Sequence, residues 1–246
     1  MSSSVSFSAN ANQISGHGSS TVEYDGEAHF NCAVSPPTGV RQVTWQRPSK
    51  DEKIVNLATF STSYGEQVNE PYKGKVVLTE TSLNSSSIIL RNVTWEDEGC
   101  YICAFNVYPD GSKRKQMCLT VQGISKVNTS RESSVEQERE ARQEVFSCSA
   151  TGKPAPSIEW DVSPGAIITQ TVQQRVVVNR DSTFTNSSSI TVHIPAEWTG
   201  HVDCLLNQGR TGERRETLYS SVQTEELKRI DYNSRECHCC GRSVSK

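Results

Sequence analysis

The sequence predicts an all-β chain folded as two tandem β-sandwiches, each tied by one disulfide between its sheets. Three observations carry that reading. A cysteine, a tryptophan twelve or thirteen residues later and a distant second cysteine occur twice, as Cys32, Trp45, Cys103 and as Cys148, Trp160, Cys204. Period-two apolar alternation accompanies both frames, with Ile88 and Leu90 in the first and Ile190, Val192 and Ile194 in the second, as half-buried strands require. The 246 residues are about twice a usual domain. Their 34% hydrophobic content and mean hydropathy of −0.54 suit two small cores better than one large one.

The first frame is the fuller one. In Asp97-Glu98-Gly99-Cys100-Tyr101-Ile102-Cys103, Tyr101 lies two residues before the frame cysteine, where a tyrosine corner bonds its hydroxyl back to the backbone. Cysteine, tryptophan and cysteine so spaced are those of an immunoglobulin-like sandwich. The 71 residues from Cys32 to Cys103 leave room for the extra C′ and C″ strands of a variable-type domain. The 56 from Cys148 to Cys204 predict a shorter, constant-like one. There Val202 replaces the tyrosine and Trp198 stands near the aspartate position, so that corner is built differently. Each frame disulfide closes a long loop and is expected to stabilise its domain by about 4 kcal/mol.

These marks predict a disordered segment over 1–20, a variable-type domain over 21–121, a constant-like domain over 122–225 and a cysteine-containing tail over 226–246. The charged stretch 131–144 has helical propensity, but its place before Cys148 favours strand A and a solvated A–B connection.

Cys100 and Cys118 lie outside the frames. Tyr108-Pro109-Asp110-Gly111 is a turn sequence, proline presetting φ and glycine permitting positive φ. A hairpin of strands F and G centred there sets the two cysteines opposite each other. If Tyr101 and Cys103 face the core, Cys100 and Ile102 face out, and an inward Leu119 turns Cys118 out too. A cross-strand disulfide is the expectation, with two free thiols as the alternative.

The net charge of −3 gives no general attraction to nucleic acid or anionic lipid. The five histidines are scattered, and no phosphate loop, nucleophile triad or paired-carboxylate motif is present. No enzyme activity, catalytic residue, cofactor, metal or small-molecule substrate is therefore expected. Nine cysteines, with Asn-x-Ser/Thr acceptors at Asn84, Asn92, Asn128 and Asn186, favour the oxidising secretory pathway. Neither an apolar leader core nor a membrane-spanning run is visible, so membrane anchoring is expected of a parent protein. Cys237, Cys239 and Cys240 lack partners in the scheme. Metal binding, lipidation, intermolecular links and a functionless spliced tail are the alternatives.

Asn92 to Asn106, NVTWEDEGCYICAFN, resembles the OX-2 membrane glycoprotein family. So do Val43-Thr44-Trp45-Gln46, Ala58-Thr59-Phe60-Ser61, Tyr72-Lys73-Gly74-Lys75 and, in the second domain, Cys148-Ser149-Ala150-Thr151 with Pro154-Ala155-Pro156 and Trp160. The resemblance implies a cell-surface glycoprotein ligand for an inhibitory receptor on myeloid cells. Its N-terminal domain would meet the receptor's immunoglobulin-like ectodomain through the GFCC′ face and dampen activation. A homophilic or heterophilic adhesion protein, a costimulatory ligand and a soluble decoy are the alternatives.

Residue placement points to the same face. Glycans at Asn84 and Asn92, flanking strand E, would cover the ABED sheet and leave GFCC′ bare. Alternation turns Thr44, Gln46, Ile102, Ala104 and Asn106 outward, with Lys113 and Lys115 expected to join them unless a bulge in strand G changes their facing. Tyr108 at the hairpin tip is the expected anchor, since exposed tyrosines concentrate binding energy. The plain alternatives are an ordinary turn tyrosine and a charged edge strand that discourages aggregation.

Overall fold

The computed structural model describes residues 12–49, 51–133 and 141–220, and the chain divides into two units between Gln122 and Gly123. The first contains β1 (Gln13–Gly18), β2 (Thr21–Glu23), β3 (Ala28–Ser35), β4 (Val40–Pro48), β5 (Ile54–Ser61), β6 (Gly65–Val68), β7 (Val76–Thr81), β8 (Ser85–Leu90), β9 (Gly99–Val107) and the start of β10 (Gly111–Ser133). One sheet has the order β1-β3-β8-β7, the A, B, E and D strands; the other runs β10-β9-β4-β5-β6, or G, F, C, C′ and C″. The two extra strands of the variable type are β5 and β6.

The segment 1–20 is corrected by β1, which pairs residue by residue with β3 from Gln13 opposite Ser35 to Gly18 opposite Phe30. Ile14 packs on the core, and Gly16 lets the strand run close to β10, where a Cβ would come within 2.9 Å of Lys115 Cγ. Residues 1–11 lie outside the described residues.

Trp45 packs at the centre of the first core, fully buried with Cys32, Cys103, Tyr101 and Phe105. Its indole N–H would be orphaned there, and it donates to Ser86 Oγ on β8 at 2.9 Å. Phe30 stacks on Tyr101 with ring centroids 4.8 Å apart.

The second unit takes the rest of β10 with β11 (Ala141–Lys153), β12 (Ile158–Val162), β13 (Ile167–Val178), β14 (Phe184–Pro195), β15 (His201–Leu206) and β16 (Arg214–Tyr219). Its sheets are β13-β14-β11-β10 and β12-β15-β16. It repeats the tryptophan device, Trp160 Nε1 donating to Ser188 Oγ at 3.0 Å. Its corner uses Trp198, whose Nε1 donates to Pro164 O at 2.9 Å. Of the charged stretch, 131–133 extend β10 and 141–144 open β11, while 134–140 lie outside the described residues, as does the tail over 226–246.

Candidate protein-binding face

Register builds the outer GFCC′ face as a series of rungs. Ser61, Gln42, Asn106 and Ser112 form one rung across β5, β4, β9 and β10. Thr59, Thr44, Ala104 and Arg114 form the next, followed by Gln46, Ile102 and Gln116. Cys100 and Cys118 close the series, directly opposite each other and disulfide-bonded. The frame cysteines are bonded as Cys32–Cys103 and Cys148–Cys204.

Two sets of expected contact residues need correction. Thr44, Ile102 and Ala104 point outward but keep only 7%, 9% and 8% of their surface. They are short or mid-length side chains between longer ones, and Thr44 Oγ1 is taken up by donors from Gln42 (3.0 Å) and Thr59 (3.4 Å). They form the floor of the face. Gln46 is half-buried, bonded through Nε2 to Asn56 Oδ1 at 2.7 Å, and Asn106 is exposed.

Lys113 and Lys115 lie opposite Phe105 and Cys103, both core-facing, so they point to the inner side of β10. Lys115 lies beside Gly16 of β1. The ladder from Gly111 to Leu119 has no bulge, so an outward Cys118 fixes Gln116, Arg114 and Ser112 outward as well. Arg114 is the basic residue that β10 turns onto the face. With no bulge to change their facing, Lys113 and Lys115 stay inward, and the parity of Cys118 gives the outward side to Arg114.

The hairpin tip is held from below. Tyr108 N donates to Gly39 O at 2.8 Å. Gly39 adopts φ +82°, and a Cβ there would collide with Tyr108 O, so only glycine fits. The Tyr108 side chain is 71% exposed on this fixed backbone, beside a groove of about 300 Å³ lined by Arg41, Asn106, Pro109 and Gly111. A second tyrosine, Tyr64, is 89% exposed in the β5–β6 turn. That turn follows Ser61, on the rung of Asn106, so both tyrosines occupy one end of the sheet.

The other end of β9 is anchored by the corner. Tyr101 hydroxyl donates to Asp97 O at 2.8 Å, and burial pushes that hydroxyl far above the usual phenol range against the opposing pull of Arg47. Asp97 Oδ2 accepts from Thr94 N (2.7 Å) and Thr94 Oγ1 (3.0 Å), capping the 3-10 turn Trp95–Asp97, and pairs with Lys75 Nζ at 2.6 Å. Arg47 adds a longer ion pair at 3.8 Å and sits over the Tyr101 ring, 5.3 Å from its centroid.

Asn84 and Asn92 are exposed just before and just after β8, on the sheet opposite this face, and Asn128 is exposed on β10. Asn186 is a correction. It is 2% exposed, and its Nδ2 donates both hydrogens, to Pro156 O and Gln174 Oε1, each at 2.9 Å. A glycan on that nitrogen is incompatible with this packing.

Ser163, His201 and Asp203 meet in the second unit without a nucleophile's geometry. Ser163 Oγ accepts the His201 backbone N–H at 3.0 Å while bonding its Nδ1 at 3.1 Å. Asp203 Oδ2 is paired with Arg215 at 2.9 Å, closer than His201 Nε2 at 3.5 Å. The cluster knits β15 to its neighbours.

The chain matches the immunoglobulin V-set domain over residues 16–122 and the CD80-like C2-set immunoglobulin domain over residues 127–215. It is 31% identical over 171 residues to the OX-2 membrane glycoprotein homolog of Human herpesvirus 8 type P, covering 68% of this chain and 55% of that protein. With the Homo sapiens OX-2 membrane glycoprotein it shares 34% identity over 145 residues, 59% of this chain and 50% of the relative. With Nectin 1b of Danio rerio it shares 30% over 139 residues, 52% of this chain and 26% of the relative. The chain thus spans about half the length of the OX-2 relatives it matches. A V-set sandwich followed by a C2-set sandwich, with OX-2 likeness running longer than either unit, makes this chain an OX-2-like member of the immunoglobulin superfamily.

Proposed function

We propose that this is a cell-surface glycoprotein ligand whose V-set domain binds the immunoglobulin-like ectodomain of an inhibitory receptor on myeloid cells and dampens their activation. The observation that carries the reading is the division of labour between the two sheets. The outer GFCC′ face bears no exposed glycan acceptor and ends in Tyr108, a large side chain on a backbone fixed by Gly39. Asn84 and Asn92 flank β8 of the other sheet. Tyr108 supplies the anchor, Arg41, Asn106, Arg114 and Gln116 the polar surround, and Thr44, Ile102 and Ala104 the tight floor. Lys113 and Lys115, on the inner side of an edge strand, contribute charge at the rim. The OX-2 likeness supports the partner class, and the chemistry is binding, with no cofactor.

The test is binding of the purified chain to ectodomains of inhibitory myeloid receptors. Tyr108→Ala is expected to weaken binding by about thirtyfold or more, the loss of an aromatic anchor. Arg114→Glu is expected to weaken it further than Lys113→Ala, and His29→Ala on the ABED sheet to leave it unchanged. Equal losses from both sheets with the fold intact would refute the face. The nectin likeness favours a second reading, adhesion through the same V-set face. In that case Tyr108→Ala abolishes self-association of the chain, with no receptor required.

A further inference from the structure

Strand β13 is left uncovered by its own unit. It ends the sheet β13-β14-β11-β10, so one edge of its backbone has no partner strand among the described residues. Ile167 is 66% exposed, Ile168 40%, Val176 51%, Val177 44% and Val178 66%. Adjacent residues point to opposite faces, so exposure of neighbours means that these ends meet a core on neither side. Natural edges are guarded by lysine, proline or short length. This one runs for 12 residues, IITQTVQQRVVV, with Arg175 as its single charge and no proline.

The order of residues says what fits it. Both ends are apolar and the middle is polar apart from Val172, and the two irregularities in its ladder with β14 fall in that middle, leaving Arg175–Val178 regular. An antiparallel copy reverses the order. It lays Ile167 and Ile168 of each chain against Val178 and Val177 of the other, and sets Arg175 opposite Gln170, away from its own copy. Such self-complementarity is what a two-fold interface requires.

We infer that the C2-set unit associates with a second copy of this chain, β13 against β13, antiparallel about a two-fold axis. The strand is about 40 Å long. A contact band about 10 Å wide then buries about 800 Å² in total, below the 1,200 Å² at which stable complexes begin, so the dimer is weak and reversible. This inference is independent of the receptor reading, which concerns the other unit.

Sedimentation of the full chain up to about 0.1 mM tests it. The wild type is expected to show a concentration-dependent dimer. Val177→Lys and Ile168→Lys are each expected to raise its dissociation constant tenfold or more, with an unchanged thermal midpoint because both side chains are exposed. Tyr108→Ala is expected to leave the dimer intact. A wild type that stays monomeric throughout overturns the inference, whether β13 is bare or covered by a heterologous partner or by residues 221–246. A dimer that survives both lysine variants, or is lost with Tyr108→Ala, overturns it as well.

Discussion

Replacing Asp97 probes the anchor beneath the proposed binding hairpin. Its side chain keeps 11% of its surface and serves three groups at once: the Thr94 cap, Lys75 at 2.6 Å and Arg47 at 3.8 Å. In Asp97→Ala the cap is lost, a cost of about 1 kcal/mol. Two cations are also left facing each other without their carboxylate. Stripping a partner from a fully buried pair costs 3–5 kcal/mol. Lys75 and Arg47 retain 26% and 18% of their side-chain surface and keep backbone acceptors, Asn92 O and Glu96 O, so about 2 kcal/mol is the discounted figure. The sum is about 3 kcal/mol, a large share of the 5–15 kcal/mol that hold a typical domain. Asp97→Asn keeps an acceptor for Thr94 and loses only the charge, so about two thirds of that loss, about 2 kcal/mol, is expected. Urea unfolding followed by hydrogen-exchange mass spectrometry resolves the two units. Peptides covering 99–107 should lose their protection about 1.5 M earlier in Asp97→Ala, while those covering 201–206 hold. A loss below about 1 kcal/mol, or an equal loss in both units, would refute the argument that this carboxylate organises the corner.

Two further outcomes follow from the same geometry. The Tyr101 hydroxyl ionises far above 10 when folded and near 10 when unfolded, so the V-set unit should lose stability as pH rises above about 10. Tyr101→Phe should flatten that slope while costing about 1 kcal/mol for the lost bond to Asp97 O, as pH-dependent melting would record. For glycosylation, expression in a secretory host followed by intact-mass analysis should show mass lost on changing Asn84, Asn92 or Asn128 to Gln. Asn186→Gln should lose no glycan; a glycan released by that change would contradict the buried amide.

The framework was legible because its signals are local in sequence and rigid in spacing. The cysteine–tryptophan–cysteine frames and Tyr101 each occupy a fixed place in an immunoglobulin sandwich. The face was half legible. Alternation gives the direction of a side chain but not its cover, so Thr44, Ile102 and Ala104 point outward and still lie beneath their neighbours. The facing of Lys113 and Lys115 hangs on whether strand G bulges, and the unbroken ladder settles it inward, with Arg114 on the side that the parity of Cys118 marks. Asn186 shows another limit. Its Asn-x-Ser pattern is chemical, whereas its burial depends on Pro156 and Gln174, distant in the chain. The strand at Gln13–Gly18 was missed because its composition is polar and its stability comes from the edge of β3. Exposed Tyr64 carried no signal beyond its place in a turn.

The lock between Gly39 and Tyr108 fixes what can vary at the hairpin tip. A change of partner preference has the side chains of Arg41, Tyr108 and Asp110 to work with, over a main-chain path that stays put. Docking there would demand little reshaping, so differences between partners would be read mainly in how long a complex survives rather than in how fast it forms.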